Sequence, residues 1–334
     1  MNFFKIKRII IGSIKIILRI KSRIIVKKLS KMGIFNYIEL SEKDIKDFSF
    51  NILQDNYGIG YILKKYANYR KNIFYSIEHG FYLGDYILED EIKVKKIITF
   101  SEERKKCILS KKEIQVEKIG PYIYYAESFY SKEKLKELKN KYGKILLVFP
   151  SHSIDEIDLE YNIDLFITTI NKIKKNFDNV FICLYYSDIK KGIYKKYLKE
   201  KYIIVTAGHK YDRKFLERLK SIILLADYSI TNSFGTHTIY ATSLNKPHTI
   251  FQQDMNIKVN GKINKNKLKF YNEAKRKDKK LIEQLNIIIN NYNIYPNYNI
   301  ENQKKNLNYL FGFSELKTKE EMYKLLGLKS DKNV

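Results

Sequence analysis

The chain has 334 residues and a formal net charge of +26, from 63 Lys and Arg against 37 Asp and Glu. A hydrophobic share of 44% excludes a disordered chain, and the length predicts about two domains. The counts of 4 Pro and 14 Gly exclude collagen-like and linker-type sequence. Cys107 and Cys183 are too few for a disulfide framework and lack the spacing of a metal site. A reducing cytoplasmic environment and no metal site are therefore expected.

The strong positive charge bears on the partners that the chain can have. Lys, Ile, Asn and Tyr dominate and Trp is absent, as an AT-rich coding sequence produces, so part of the charge belongs on solvated faces. A basic chain favours polyanions such as nucleic acid, anionic lipid or nucleotide phosphate. The basic residues are spread along the chain and no recognised nucleic-acid-binding module is present. No specific nucleic-acid partner is therefore expected, and a nucleic-acid-binding protein stays the non-enzyme alternative.

Residues 1–32 differ from the rest of the chain, because no acidic residue precedes Glu39. At about 100° per residue, isoleucines gather mostly on one helical face and basic residues on the other, namely Lys5, Arg8, Lys15, Arg19, Arg23 and Lys27. This pattern predicts a basic amphipathic helix. It has neither the roughly 20 apolar residues of a spanning helix nor the features of a cleaved signal. Two interpretations stay open: a peripheral helix on the anionic inner face of the cell membrane, or a basic helix packed on the protein.

From about Ile34 onward, apolar runs alternate with helical stretches. The apolar runs predict strands over 72–77, 96–100, 114–119, 144–149, 179–184, 202–205, 228–231 and 248–251. Helices are predicted near 159–177, 190–200, 211–226, 235–244, 267–292 and 318–326. Ser101 is a predicted N-cap, since Glu102 and Glu103 follow it. The alternation is typical of βαβ units and parallel sheets.

The alternation predicts an α/β fold with two Rossmann-like domains, joined near Gly120–Phe129. The predicted divisions are the basic helix at 1–32, an N-terminal domain at 33–121, a linker at 122–138, a C-terminal domain at 139–300, and C-terminal helices and tail at 301–334. In open parallel sheets, ligands bind beyond the carboxyl ends of the strands. The loops that follow the strands are therefore the places where functional side chains are expected.

Four of the five histidines follow predicted strands. His79 follows the strand at 72–77, and His152, His209 and His237 follow three strands of the second half. We expect these four side chains to lie at one cleft. The alternative is that loops simply hold polar residues.

The densest group of small polar residues lies at 232–238 (NSFGTHT), between a predicted strand and a predicted helix. Gly235 allows close approach of the backbone, and Ser233, Thr236 and the free N–H groups of the helix can bind a phosphate. The alternative is a plain helix cap formed by Ser233 or Thr236. The segment matches neither G-x-G-x-x-G nor G-x-x-x-x-G-K-[ST], which disfavours dinucleotide oxidoreductases and P-loop NTPases.

Two similar turns follow neighbouring strands. One holds Ser151, His152 and Ser153, and the other holds Gly208 and His209. Both turns can line a nucleotide pocket. The alternative is ordinary turn chemistry, in which Ser and Gly are common.

His79, in the sequence Glu78-His79-Gly80, is the acid–base candidate. Imidazole titrates near neutrality and can take a proton from a sugar hydroxyl. Asp85 is the alternative base, and a structural histidine is the alternative interpretation of His79. No D-x-D tripeptide occurs, and the acidic segment 155–158 is predicted to begin a helix. A transferase that holds Mg²⁺ through such a motif is therefore disfavoured.

Four segments, over roughly residues 34–255, resemble bacterial GT-B-type glycosyltransferases of surface (capsular or lipopolysaccharide) polysaccharide biosynthesis: 78–85 (EHGFYLGD), 119–126 (IGPYIYYA), 146–153 (LLVFPSHS) and 230–248 (ITNSFGTHTIYATSLNKPH). The last one resembles their C-terminal donor loop. The resemblance implies a nucleotide-activated sugar donor, held mainly by the C-terminal domain. It also implies a glycan or lipid-linked acceptor, held by the N-terminal domain.

The resemblance also implies roles for particular residues. The donor phosphates would meet Ser233, Gly235, Thr236 and His237. The nucleoside would lie among Ser151, His152, Ser153, Gly208 and His209. The catalytic base would be His79 or Asp85.

Two departures from the family pattern bear on the mechanism. Retaining members commonly carry a glutamate in the donor helix, and 235–244 has none; the H-P pair of the sialyltransferase type is absent as well. The expectation is an inverting, metal-independent enzyme with no cofactor besides its nucleotide-sugar substrate. It would be cytoplasmic, and peripheral at the inner face of the membrane if the first helix binds lipid. A CDP-alditol phosphotransferase and a nucleotide-sugar 2-epimerase are the enzyme alternatives.

Overall fold

The computed structural model describes residues 24–25, 27–42, 56–85, 87, 95–154, 157–259, 278–293, 295 and 299–327. Its helices are α1 Tyr37–Glu42, α2 Ile59–Tyr66, α3 Glu102–Leu109, α4 Lys132–Tyr142, α5 Ile163–Ile173, α6 Tyr186–Lys190, α7 Tyr194–Lys199, α8 Phe215–Leu225, α9 Thr236–Ser243, α10 Lys279–Tyr292, α11 Ile300–Phe311 and α12 Lys319–Gly327. Its strands are β1 Ser76–Ile77, β2 Lys96–Thr99, β3 Gln115–Lys118, β4 Ile145–Phe149, β5 Ile157–Glu160, β6 Asn179–Cys183, β7 Ile203–Val205, β8 Tyr228–Thr231, β9 His248–Ile250 and β10 Asn256–Val259. Short 3₁₀ helices lie at Asn56–Gly58, Tyr122–Tyr124 and Lys174–Asn176.

Two parallel sheets organise these elements. The first has the order β1-β2-β3, and the second has the order β7-β6-β4-β8-β9. Every residue of β4, the middle strand of the second sheet, is buried. Strands of a parallel sheet that is covered on both faces have such uninterrupted apolar sequences. The predicted α/β class with parallel sheets is confirmed. The division into two domains at the boundaries given above stays a prediction.

One apolar core joins the two sheets. It includes Ile98 and Phe100 from the first sheet and its edge, and Leu147 and Phe149 from the second. The C-terminal helices pack on helices from both halves of the chain: α11 packs on α3 and on α9, and α12 packs on α2. Gly312 ends α11 in a left-handed conformation, with φ of 70°, against the backbone of Phe100. The end of α11 therefore lies beside the first sheet.

The first described residues are tied to the second sheet by a buried arginine of α8. Arg218 donates hydrogen bonds to the carbonyls of Met32 (2.9 Å) and Leu29 (2.6 Å), and it pairs with Asp212 at 2.8 Å. Both members of the pair are fully buried. Residues 1–23 of the predicted basic helix lie outside the described residues. No described helix is both long and apolar enough to cross a membrane.

One expectation about local structure is wrong. The segment at 155–158 does not begin a helix, because Ile157 and Asp158 belong to β5, which pairs antiparallel with β10. The following helix starts at Ile163, where the Asn162 side chain accepts a hydrogen bond from the Leu165 N–H at 2.9 Å. The helix α11 lies between the two predicted C-terminal helices and was not among them.

Candidate active site

The order of the five-stranded sheet creates a crevice at the carboxyl ends of β4 and β8. In chain order, β6 and β7 are added on one side of β4, and β8 and β9 are then added on its other side. Where the direction of building reverses, the loops after the two central strands diverge and leave room for a ligand. Ser151 follows β4 and Ser233 follows β8, so the predicted turns flank this crevice.

The two turns are joined by a hydrogen-bonded group. The Asn232 Oδ1 atom accepts from the Ser151 N–H (2.7 Å) and from the Ser151 hydroxyl (2.8 Å). The hydroxyls of Ser151 and Ser233 lie 2.8 Å apart, and Asn232 Nδ2 donates to Gln253 at 3.0 Å. The buried amide of Asn232 therefore fixes two hydroxyls at the mouth of the crevice.

A cavity of about 320 Å³, here called the central cavity, occupies the crevice. The loop after β1 closes one side of it, and the loops after β4, β6, β7 and β8 line it together with residues of α8 and α9. Seven of the predicted site residues line it: His79, Ser151, His152, Ser233, Gly235, Thr236 and His237. The expected convergence of histidines from distant loops therefore holds for three of the four.

The other predicted residues lie outside the lining of the central cavity. Ser153 is buried behind it, where its N–H donates to Asp188 (3.2 Å) and its carbonyl accepts from Ser187 (2.6 Å). His209 packs on Tyr186 with ring centroids 4.1 Å apart, in a layer behind the cavity wall.

Gly208 has a φ of 99° and faces the Arg218 guanidinium, so it leaves room for the buried ion pair of Arg218 and Asp212. Asp85 lies further out: its N–H donates to Asp278 at 3.0 Å, and its carboxylate is 3.6 Å from the Lys280 ammonium.

Gly235 and His237 form one unit at the start of α9. The imidazole of His237 stacks on Phe149 with ring centroids 4.7 Å apart. A Cβ atom at position 235 would lie 2.7 Å from Cε1 and 2.9 Å from Nδ1 of His237. The φ of Gly235 is −160°, which any residue can adopt. A glycine is required here because a larger side chain would collide with the His237 ring.

The surroundings of His237 keep its ring neutral. Desolvation in the wall of the cavity lowers the pKa of His237 to about 3. Its Nε2 atom is shielded from solvent and has no hydrogen-bond partner among the described residues. An unsatisfied buried nitrogen costs about 1–3 kcal/mol, and such groups are concentrated at functional sites.

His79 sits where the first sheet meets the central cavity. Desolvation, with a smaller contribution from the Lys210 charge, lowers the pKa of His79 to about 4. The imidazole is therefore neutral at pH 7 and able to accept a proton. The Tyr82 hydroxyl lies 3.2 Å from its ring nitrogens, and the ring of Tyr57 lies 6.1 Å away, so the imidazole is held by aromatic neighbours.

A buried ion pair supports the His79 loop. Glu78 and Arg104 are 1% and 2% exposed, and Arg104 donates to Glu78 Oε1 through Nε (2.8 Å) and a terminal nitrogen (2.6 Å). The Thr99 hydroxyl also donates to Glu78. The guanidinium lies 5.1 Å from the centre of the Tyr82 ring, so the ion pair also orients the side chain that contacts His79.

The loop after β1 is joined directly to α9. The Phe81 N–H donates to the Thr236 hydroxyl at 3.0 Å, and a Cβ atom on Gly80 would lie 3.5 Å from the same oxygen. This contact brings the predicted base and the predicted phosphate-binding turn to one site, although they are more than 150 residues apart in the chain.

The sequence did not predict the tyrosines of the cavity. Tyr57 lines it with φ of 58° and ψ of 13°, a conformation that is rare for a bulky residue and is concentrated at functional sites. Its N–H donates to the Lys210 carbonyl (2.5 Å), and its hydroxyl lies 3.1 Å from that of Tyr185. Tyr185 in turn packs on His152 at 4.3 Å. No local motif marks either residue, although the abundance of tyrosine could have suggested an aromatic wall.

The central cavity is uncharged at its surface. Its described lining residues include no Lys, Arg, Asp or Glu, and its wall is aromatic, aliphatic and hydroxyl-bearing. His152 and the segment 233–236 also line a wider groove, here called the outer groove, which holds Asp85 and Lys280. The start of α9 is thus the boundary between an uncharged cavity and a more polar groove.

Metal ligands are not grouped at this site. Among the described residues, no three His, Cys, Asp or Glu side chains are arranged to hold a metal ion. The fifth histidine, His248, is fully buried between the hydroxyls of Ser229 (2.8 Å) and Thr238 (3.1 Å) and has a structural role.

Two solved structures align with this chain at low sequence identity. No family model and no curated protein sequence matches the chain. The structure of the wall teichoic acid polymerase TagF aligns with a TM-score of 0.37 and 16% identity over 53% of this chain; the chain spans about half (48%) of that structure. A glycosyltransferase from Rickettsia africae ESF-5 aligns with a TM-score of 0.30 and 15% identity over 85% of this chain and 78% of that one.

Proposed function

We propose that this protein is a glycosyltransferase that moves a sugar from a nucleotide-activated donor to a glycan or lipid-linked acceptor of a surface polysaccharide. The observation that carries the proposal is the central cavity at the reversal point of a parallel sheet, closed by the histidine-bearing loop of a second parallel sheet. Its volume is at the small end of the range for ligand sites, about 300–1,000 Å³. Its polar groups converge on one end, as a bound and oriented substrate requires.

The uncharged lining supports a particular placement of the donor. The nucleoside and its flat base suit the aromatic wall formed by Tyr185 and His152, which excludes water without supplying charge. The donor phosphate suits the start of α9, where backbone N–H groups are unpaired within the helix and the helix dipole favours an anion. The Ser151 hydroxyl already donates to Asn232, but the Ser233 hydroxyl beside it can turn from Ser151 and donate a hydrogen bond to a phosphate oxygen.

The chemistry follows from a neutral imidazole beside a leaving phosphate. In an inverting transfer, an acceptor hydroxyl attacks the anomeric carbon while the bond to the phosphate oxygen breaks and the bonding electrons leave with the phosphate. His79 accepts the hydroxyl proton. The dipole of α9 stabilises the negative charge on the leaving group. In this proposal the transfer needs no metal ion, and Asp85 is the second candidate for the base.

A ligand screen tests the donor site. The melting temperature of the full chain is measured with UDP, CMP, CDP and GDP, since a ligand at 100 times its dissociation constant stabilises the folded state by about 2.7 kcal/mol. We expect one nucleotide to raise the melting temperature. Gly235→Ala, which displaces the His237 ring, should abolish most of that shift. Gly327→Ala, whose Cβ would meet Tyr69 at an ordinary 3.7 Å, is the matched control and should keep it.

Activity and product analysis test the reaction. His79→Gln should lower the transfer rate much more than it lowers nucleotide binding. Full activity in both His79→Gln and Gly235→Ala would remove this site assignment. A phosphodiester product, in place of a glycosidic one, would point to the CDP-alditol phosphotransferase alternative. Epimerised donor formed without acceptor would point to the 2-epimerase.

A further inference from the structure

We propose that a second groove, formed beside α2, binds a phosphate-bearing segment of the acceptor glycan. This groove, here called the α2 groove, has a volume of about 520 Å³, and its lining includes Tyr61, Lys64, Lys65, Arg70 and Arg213. The inference rests on the proposed function, because it names the chemistry of the acceptor. It uses residues that neither the donor site nor the proposed base requires.

The charge of the α2 groove is unbalanced. Its described lining includes no Asp or Glu. Lys65 is already paired with Glu127 and Glu217, but Lys64, Arg70 and Arg213 have no carboxylate partner within 4 Å among the described residues. Cations that share a concave surface without counter-ions create a positive potential that attracts an anion. Two of the three are arginines, whose planar fork matches the oxygens of a phosphate.

The walls of the α2 groove are held in place before any ligand binds. The Arg213 guanidinium lies 5.9 Å from the centre of the Tyr61 ring. Asn68 adopts a left-handed backbone with φ of 51°, and the Tyr69 N–H donates to the Lys64 carbonyl at 2.8 Å. These contacts fix the end of α2 and the start of the segment that carries Arg70. Less conformational entropy is therefore lost when an anion binds.

The α2 groove and the central cavity share a wall. Tyr57 lines the cavity, and Gly60, three residues later, lines the groove. On the other side of the wall, Arg213 lines the groove and Phe215 lines the cavity. Adjacent segments of the chain therefore line the α2 groove and the central cavity, which suits two substrates of one transfer reaction.

The shape of the α2 groove favours a glycan over a membrane or a nucleic acid. None of the exposed large apolar side chains of the described residues lines it, so it lacks the apolar anchor by which a protein surface enters a lipid interface. A nucleic acid is bound along an extended basic stripe, whereas this site is a single concave pocket. A short segment with clustered negative charge fits it best.

Binding of sodium tripolyphosphate, a soluble oligophosphate, tests the inference. Isothermal titration calorimetry compares the full chain with the triple variant Lys64→Ala, Arg70→Ala and Arg213→Ala. The control removes three exposed lysines that line neither the α2 groove, the central cavity nor the outer groove: Lys132→Ala, Lys136→Ala and Lys195→Ala. Both variants change the net charge equally. We expect about a tenfold or larger loss of affinity in the groove variant and less than about twofold in the control, because only the groove cations contact the phosphates.

The same two variants separate the alternatives. Equal affinity of the groove variant and the control would overturn the inference. So would groove-dependent binding of phosphatidylglycerol vesicles or of random-sequence single-stranded DNA without groove-dependent binding of tripolyphosphate. Circular dichroism melting checks that both variants are folded.

The nucleotide screen keeps this test distinct from that of the proposed function. A groove variant that loses tripolyphosphate binding but keeps the nucleotide-induced rise in melting temperature supports the inference. In the opposite case, no nucleotide raises the melting temperature of the wild-type chain, but the groove variant still loses tripolyphosphate binding. That result contradicts the proposed function and still supports the phosphate site in the α2 groove.

Discussion

His248, His237 and His79 lie in different surroundings. His248 is satisfied on both ring nitrogens by hydroxyls, whereas His237 stacks on Phe149 and leaves a shielded nitrogen without a partner among the described residues. His79 is held by aromatic neighbours at the meeting point of the two sheets. Desolvation lowers the pKa of all three histidines. A shared physical cause therefore keeps the rings neutral, both for the packing of His248 and for the proton transfer proposed for His79.

The lowered histidine pKa values predict how stability depends on pH. In the unfolded chain a histidine binds a proton near pH 6.5, whereas His79 and His237 bind one only near pH 4 and pH 3 when folded. The unfolded state therefore binds more protons below pH 6.5, and the free energy of unfolding falls as pH falls from about 6.5 to 4. Asp188, whose pKa burial raises to about 6, acts in the opposite direction between pH 3.8 and 6.

Replacing His237 by phenylalanine tests this account. The His237→Phe variant keeps an aromatic ring against Phe149 but removes one titrating group. We expect the loss of stability between pH 6.5 and 4 to become shallower, as measured by urea unfolding at several pH values. Asp188→Asn is the comparison, and it should make the loss steeper because the opposing group is gone. An unchanged slope in His237→Phe would contradict the assigned titration.

At the scale of elements, the predictable parts are those that local pattern defines. Apolar runs located β4, β6 and β8 within a residue or two, and Ser101 caps α3 as its acidic neighbours indicated. The pairing of β5 with β10 could not be predicted, because it joins short, half-buried segments about a hundred residues apart. Ser151 and Ser233 were predictable because the carboxyl ends of parallel strands share one edge.

Local sequence pattern could not predict the positions of Tyr57 and His209. Tyr57 comes from a short 3₁₀ helix outside both sheets, and no spacing in the sequence shows that it docks on the loop after β7. His209 follows β7 as expected, but the chain turns at Gly208 toward Arg218 and carries the imidazole behind the cavity wall. Local sequence marks the edge of a sheet on which a side chain lies, and tertiary packing decides which side of a loop it occupies.

The contact between α2 and the loop at 210–213 gives a prediction at the same scale. Gly58 has φ of 71°, and a Cβ atom there would collide with the Arg213 carbonyl. Gly192 has φ of 75°, but its Cβ would meet the Lys195 side chain at an ordinary 3.8 Å. Gly192→Ala should therefore cost only the left-handed backbone penalty, about 1–2 kcal/mol. Gly58→Ala should cost clearly more in urea unfolding. Equal costs would show that the loop can move away from α2.

For the whole molecule, the buried pair of Arg218 and Asp212 connects parts of the chain that are about 180 residues apart. Arg218 holds the carbonyls of Leu29, Met32 and Ala207, and it lies 5.1 Å from the centre of the Phe129 ring. One side chain thus joins the first described segment, the loop after β7 and the segment that follows the first sheet. Arg218→Met should destabilise the folded chain by about 3–5 kcal/mol, since it leaves Asp212 buried without its charge partner.

A second substitution separates the charge from the contacts. Asp212→Asn removes the unpaired charge but can still accept the Lys214 N–H, which bonds to Asp212 Oδ1 at 2.9 Å. In the Arg218→Met background it should therefore recover part of the lost stability, while the bonds to the carbonyls of Leu29 and Met32 stay lost. Lys134→Ala, which breaks an exposed pair with Glu137, is the control and should change the free energy of unfolding by less than about 1 kcal/mol. If the double variant were no more stable than Arg218→Met alone, the cost would come from the lost hydrogen bonds to the backbone carbonyls and not from the unpaired charge of Asp212.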